Sequence, residues 1–173
     1  MTNRHTNQSD NGRDSIDLLL DRGLSSRLTI VLGPDAEERK KALNEWLDRR
    51  RYEVLLVECP PDNGKPACPR VILDAFVEAG IVKETPRDPS SEASCNARLI
   101  TLMNELAALQ RDLVVVFLNY QQREATNRML SFMLEHLPEQ VHIYLCCDHA
   151  PALNCIPRLR VRRQLQTVET GYE

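Results

Sequence analysis

The sequence predicts an α/β fold, a three-layer sandwich in which helices cover both faces of a mostly parallel sheet of about five strands. Three observations carry this reading. The runs "RLTIVL", "LVVVFLN" and "VHIYLCC" are continuously apolar and β-branched, as strands buried on both faces must be. Between them lie stretches whose apolar residues recur at helical spacing. Strand and helix signals alternate along the chain, and parallel neighbours in one sheet need right-handed crossovers of this kind.

Residues 1–14 are polar, rich in Asn, Asp, Arg, Ser and Thr, and hold too little apolar surface to offset the entropy of ordering. A disordered tail is expected there, with residues 15–173 forming a single domain. "SIDLLLDRGL" spaces Ile16, Leu19 and Leu20 as a short helix does, and Gly23 stands where a helix end accepts positive φ. "RLTIVL", Arg27 to Leu32, is the first strand and stops at Gly33-Pro34. Asp35 is placed to cap the next helix, in which Ala36, Leu43, Trp46 and Leu47 share one stripe. Glu37, Glu38, Lys40, Lys41 and Asp48 face water, and Arg39 to Lys41 read as a solvated cationic face. "YEVLLVE" is the second strand and "CPPDNGKPACP" a Pro/Gly-rich loop. "RVILDAFVEAG" makes a helix with Val71, Ile72, Ala75, Phe76 and Ala79 inward and Gly80 as its stop.

The polar stretch "KETPRDPSSEAS", Lys83 to Ser94, reads as a surface loop. "CNARLITLMNELAALQ" returns to helix, with Leu99, Ile100, Met103, Leu106 and Ala107 on one face. "LVVVFLN" is the most apolar strand, so Leu113–Leu118 is expected at the centre of the sheet, flanked by Arg27–Leu32. "REATNRMLSFMLEHLP" is helix up to Pro138, "VHIYLCC" a strand, and "PRLRVRRQLQTVE" a turn or short helix leading to a last strand around Gln164 to Val168. Ligands of such sheets sit at the carboxyl ends of the strands. Chemistry is therefore sought in the loops after Leu32, Val57, Leu118 and Cys146.

With 173 residues, 42% hydrophobic and 27% charged, the composition is that of an ordinary globular domain. A net charge of −3 gives no global attraction to nucleic acid or anionic membrane. No apolar run reaches the length of a membrane span, and the first residues lack a signal peptide's apolar core, so a cytoplasmic protein is expected. The six cysteines are then expected to be free thiols. "CCDHAPALNC" gathers Cys146, Cys147, His149 and Cys155, but its spacing fits no paired C-x-x-C zinc frame, and no metal is expected.

"TIVLGPDAEERKKALNEWL", Thr29 to Leu47, has the outline of a phosphate-binding site: an apolar strand, a Gly-Pro turn and a helix. "SRLTIVLGPDAEERKKALNEWL", "LVVVFLNYQQ", and "MLSFMLEHLPEQVHIYLCC" followed by "RLRVRRQL" together resemble the nucleotide-binding domain of MalT-type, LuxR-class transcriptional regulators, which are STAND P-loop ATPases. The resemblance runs from about Ser15 to Val168 and implies a P-loop NTPase-like sheet.

Aligned on that family, the phosphate chemistry is missing. A P-loop needs a second Gly so that backbone N–H groups wrap the phosphates, a Lys for the terminal phosphate oxygens, and a hydroxyl for magnesium. Gly33 is kept, but Glu38 stands where Gly belongs, Arg39 where Lys belongs and Lys40 where Ser or Thr belongs. An anionic side chain at Glu38 repels triphosphate. Where the family strand ends in two acidic residues, this chain has Leu118 and Asn119, and the arginine that senses the γ-phosphate falls on Asp148. Lys65, in "DNGKP", reads as a turn residue. Glu58 reads as a solvated strand end or a lone general base, and Asn119-Tyr120 as a core cap or a base-binding pair.

Family members continue into a winged-helix part, a sensor array and a helix-turn-helix, whereas Glu173 follows closely on the last strand. The reading is a stand-alone pseudo-ATPase module without cofactor that acts through protein contact, with a full-length regulator of the same family as its natural partner. One alternative is an ATP-binding regulator fragment. Another is a small nucleic-acid-binding protein using Arg158, Arg160, Arg162 and Arg163. The same four arginines, with Leu159 and Val161 between them, are the favoured protein-contact surface.

Overall fold

Continuous apolar runs have no polar face to turn to water, so the strands they form must be covered on both sides. In the computed structural model, which describes residues 8–50, 52–59, 68–83 and 92–171, five strands form one sheet with such runs in its interior. They are β1 (Leu28–Leu32), β2 (Glu53–Glu58), β3 (Leu113–Leu118), β4 (Val141–Cys147) and β5 (Leu165–Glu169). The order is β2-β3-β4-β1-β5 and every pairing is parallel. The crossovers contain α2 (Ala36–Asp48), α3 (Cys68–Glu78), α4 (Glu92–Ala107), α5 (Glu124–His136) and α6 (Ile156–Val161), and α1 (Gln8–Gly23) precedes the sheet. The predicted three-layer α/β architecture is the one observed.

Side-chain alternation divides the core into two layers. Leu113, Val115 and Phe117 of β3 join Ile143 and Leu145 of β4 beneath α3, α4, α5 and α6, whose Phe76, Leu106, Leu130 and Leu159 complete that layer. Val114, Val116 and Leu118 face the other way with Tyr144 and Cys146, under Leu20 of α1 and Leu43 and Trp46 of α2. All six residues of β3 are buried, as expected of the most apolar strand.

The expected neighbourhood of β3 is corrected. It lies between β2 and β4, and β1 lies between β4 and β5, so β4 separates the two strands that the sequence placed side by side. Apolar continuity marks both β3 and β4 as interior strands but carries no information on their order. α1 also begins at Gln8, inside the stretch 1–14 read as a disordered tail. Adding a residue to an existing helix costs far less than nucleating one, so polar residues can extend a helix anchored by the buried Leu20. Two helix faces turn slightly from their predicted stripes. Leu73 and Leu102 are buried, while Ala79, Ile100 and Ala107 are exposed. Residues 60–67 and 84–91, which include Lys65 and most of the predicted polar loop Lys83–Ser94, lie outside the described residues.

Glycine has two distinct uses here. Gly80 ends the α3 segment at φ 70, the left-handed conformation predicted for it. Gly23 is not at positive φ, so its need for glycine is spatial rather than conformational. A Cβ there would collide with Thr29 Oγ1 and lie 2.7 Å from Tyr144 Oη. The Tyr144 hydroxyl is itself held by donating to the Leu20 carbonyl at 2.8 Å. In an open helix Gly→Ala stabilises by about 1 kcal/mol. Here the sign reverses: Gly23→Ala is expected to destabilise by about 1–3 kcal/mol through overpacking, read as a lower urea midpoint at unchanged m-value.

Candidate functional site

Parallel strands deliver their carboxyl ends to one edge of the sheet, and the loop after β1 is the place where a phosphate cradle belongs. In this chain the loop is short. Only Gly33, Pro34 and Asp35 separate β1 from α2. Asp35 is the N-cap predicted from sequence, at φ −99 and ψ 119, and its Oδ1 accepts from the backbone N–H groups of Glu37 at 2.7 Å and Glu38 at 3.2 Å. The N–H of Arg39 donates to the Asp35 carbonyl at 3.2 Å. Two N–H groups at the amino end of α2, donors of the kind a P-loop offers to phosphate, are thus engaged by the protein's own carboxylate.

Glu38 lies inside α2 rather than at the end of a loop. Its side chain is exposed and reaches over Gly171, just beyond β5, where a Cβ would stand 2.6 Å from Glu38 Oε2. Thr170 closes the other side of the turn. Its N–H donates to the Leu32 carbonyl at 2.7 Å, its hydroxyl to the same oxygen at 3.1 Å, and a Cβ on Gly33 would lie 2.6 Å from the Thr170 carbonyl.

The reading of Arg39 as solvated is corrected. It is 4% exposed, and its Nη1 donates to the Gly33 carbonyl, while Lys40 and Lys41 are exposed as predicted. Position four of α2 falls on the inward stripe with Leu43 and Trp46, which is why the guanidinium is drawn back under the turn. Its Nε has no hydrogen-bond partner. The periodicity of α2 held the signal, since 39, 43 and 46 share one face, but the charge of the side chain masked it.

The other candidate positions also lie at the carboxyl ends. Leu118 is buried in the core at the end of β3, and Asn119 is exposed at φ 51, a left-handed conformation that Asn tolerates. Tyr120 is 2% exposed and its hydroxyl donates to Asn127 Oδ1, so it caps the core and presents no ring for stacking. Glu58 is exposed. Asp148 is exposed after β4, and the hydrogen bond from His149 holds its carboxyl below the usual range. Their Oδ1 and Nδ1 are 3.2 Å apart. None of these side chains reaches the Gly33 turn in a described hydrogen bond or ion pair.

Arg158, Arg160, Arg162 and Arg163 are all exposed, but they do not form one stripe. Arg158 donates to Glu135 Oε1 at 2.9 Å, and Arg163 lies beyond α6 at φ 56. Leu159 is a core residue, 3% exposed, which corrects its reading as a surface anchor, whereas Val161 is 85% exposed. Cys59, Cys146, Cys147 and Cys155 are buried free thiols and Cys95 is half-buried. Among the described residues no three His, Cys, Asp or Glu side chains converge as a metal site, and no helix is long and apolar enough to cross a membrane.

No protein-family model and no curated protein sequence matches this chain. Solved structures do match it. Cdc6p of Pyrobaculum aerophilum superposes with a TM-score of 0.61 at 11% identity, over 98% of this chain and 46% of that one. A chain of the Drosophila ORC bound to AT-rich DNA and Cdc6 gives a TM-score of 0.56 at 13% identity, over 95% of this chain and 58% of that one. What they share with this protein is the fold, an all-parallel P-loop NTPase-like sheet with helices on both faces. The chain spans about half the length of these neighbours.

Burial raises the Cys146 and Cys147 thiols from 9.0 to about 12, with the nearby Arg39 guanidinium pulling weakly the other way. Burial also raises the Tyr144 hydroxyl. The folded thiols keep their protons up to about pH 12, whereas the unfolded chain releases them near 9. The unfolded state therefore binds fewer protons across that window, and stability falls as pH rises through it. Urea unfolding at pH 8 and pH 11 is expected to show this loss, and Cys146→Ala with Cys147→Ala is expected to flatten it, leaving the share due to Tyr144 and to Cys155, whose thiol burial also raises.

Proposed function

We propose that this protein is a non-catalytic P-loop-like module, related to the core domain of MalT-type LuxR-class regulators, that acts through protein contact in transcriptional regulation. The observation that carries the proposal is the closed turn after β1. Asp35 occupies the N–H groups of α2 and brings a negative charge to the place a phosphate would take. Arg39 is spent on the Gly33 carbonyl and is not presented outward. Leu118 and Asn119 supply no carboxylate for a magnesium shell or an attacking water. A full-length regulator of the same family is the partner this reading favours, because a domain that keeps the packing of such a core can take its place in a mixed assembly.

A second reading is supported by the exposure of Arg160, Arg162 and Arg163, none of which has an ion pair among the described residues, and by a neighbour that is a complex bound to DNA. Contacts to phosphate backbone through these arginines would weaken steeply with salt, which a mobility-shift series reads directly. The net charge of −3 makes protein contact the stronger reading.

Isothermal calorimetry with magnesium and ATP is expected to give no resolvable binding, and turnover is expected to stay at background. Glu38→Gly with Arg39→Lys is expected to leave turnover there, because the carboxylate side of the site is still absent. Turnover by the unaltered protein that disappears in Arg39→Ala would establish the ATP-binding alternative instead.

Replacing Arg160, Arg162 and Arg163 by Ser is expected to abolish capture of a partner regulator while changing stability by no more than about 0.5 kcal/mol, as for exposed positions generally. Equal loss of stability and of binding would make these arginines structural.

A further inference from the structure

At the amino ends of the strands, the edge opposite the Gly33 turn, a cavity of about 160 Å³ lies between the end of α5, the residue before β1, and α6. Arg27, Arg158 and Arg162 line it, with Glu135 as the only carboxylate in its wall among the described residues. Leu134, Leu159 and Cys155 also line it without charge, since burial pushes the Cys155 thiol up, and His136 completes the wall with its Nδ1 2.8 Å from the Phe132 carbonyl.

The charges of this wall do not cancel. Arg27 Nη1 donates to the carbonyls of Leu134 at 3.1 Å and Glu135 at 3.0 Å, which satisfies the carboxyl-terminal end of α5 and offsets its negative pole. Arg158 is matched with Glu135 at 2.9 Å. Arg162, one helical turn beyond Arg158, has no carboxylate within salt-bridge distance among the described residues. One guanidinium is therefore uncompensated, and the other two hold N–H groups beyond those their described bonds use.

Size limits what such a place can take. Pockets for nucleotides and drug-sized ligands begin near about 300 Å³, whereas a water occupies about 30 Å³, so this cavity holds a group of a few heavy atoms. Guanidiniums from three separate backbone positions suit an anion with several oxygens around a centre better than a flat carboxylate, which one arginine alone can fork. We propose that this cavity is a binding site for a phosphate group, either free inorganic phosphate or the terminal group of a small phosphate ester. Nothing in this proposal depends on the state of the nucleotide turn at the other edge.

The experiment uses the full chain at constant ionic strength, with thermal shift and calorimetry against inorganic phosphate, methyl phosphate and chloride. Phosphate or its ester is expected to raise the melting temperature where chloride does not, and the stronger of the two identifies the natural source. Arg158→Gln with Arg162→Gln is expected to weaken binding by about tenfold or more, since each removes charge-assisted hydrogen bonds from an exposed side chain. Arg27 is left in place because it caps α5. Glu135→Gln is expected to do the reverse, tightening binding by about two- to fivefold as the competing carboxylate is neutralised. The ligand-free melting temperatures of both variants show whether the fold is kept. No shift with either phosphate, or the same shift in the arginine variant, would overturn the site. Weaker binding in Glu135→Gln would overturn the assigned arrangement of charge.

Discussion

The burial of β3 and β4 on both faces is the constraint from which the rest of this structure follows. Every residue of β3 is buried, and every residue of β4 except His142. Strands with no wet face need cover above and below, which parallel pairing with helical crossovers supplies and a hairpin does not. Parallel pairing then sorts the chain by direction. Strand carboxyl ends and helix amino ends meet at one edge, while strand amino ends and helix carboxyl ends meet at the other. The turn after β1 lies at the first edge and the arginine-lined cavity at the second. Their opposite electrostatics are built from the same topology, because backbone N–H groups point out at one edge and carbonyls at the other.

At the first edge the protein supplies its own anion. Asp35 takes two α2 N–H groups, a cap worth about 1 kcal/mol, at the end of the short turn Gly33, Pro34, Asp35. Arg39 then turns inward to the Gly33 carbonyl. This is a costly place for a guanidinium, since an unsatisfied buried donor such as its Nε costs about 1–3 kcal/mol. The position is nonetheless determined. Its neighbours on the inward stripe, Leu43 and Trp46, are 1% and 0% exposed, so the helix cannot roll to release Arg39 without exposing both.

The elements of the fold were legible in the sequence because each is written in local chemistry: the unbroken apolar run of β3, the Asp35 cap, the positive-φ Gly80. The order of the strands was not, because apolar runs mark β1, β3 and β4 alike as interior strands without saying which pairs with which. Gly23 was legible as a glycine with a purpose, but the purpose lies in Tyr144, more than a hundred residues away. Of the candidate positions, the exposure of Glu38 and Asn119 and the burial of Leu118 at the end of an apolar strand follow from local pattern. The role of Arg39 was hidden, since a charged residue on an apolar stripe is assigned to water by its charge and to the core by its spacing, and here spacing prevailed. The arginines near α6 read as one basic stripe in sequence because alternation along a chain says nothing of a helix only six residues long, ending where Arg163 turns left-handed.

Where Asp35 takes up two N–H groups of α2 at the first edge, the second edge of the sheet still holds open charge. Helix carbonyls gather there, and a protein answers them with cations, as Arg27 answers the end of α5. Once those carbonyls are satisfied, any further cation is a surplus available to a ligand or a partner. Arg158 is held by Glu135, but Arg162 is not held by any described carboxylate, and Val161 beside it is 85% exposed. Unmatched positive charge thus stands at the edge opposite the Gly33 turn. Around α6 an exposed apolar side chain and a guanidinium with no described carboxylate therefore stand together, at the edge opposite the turn in which Asp35 and Arg39 make their bonds.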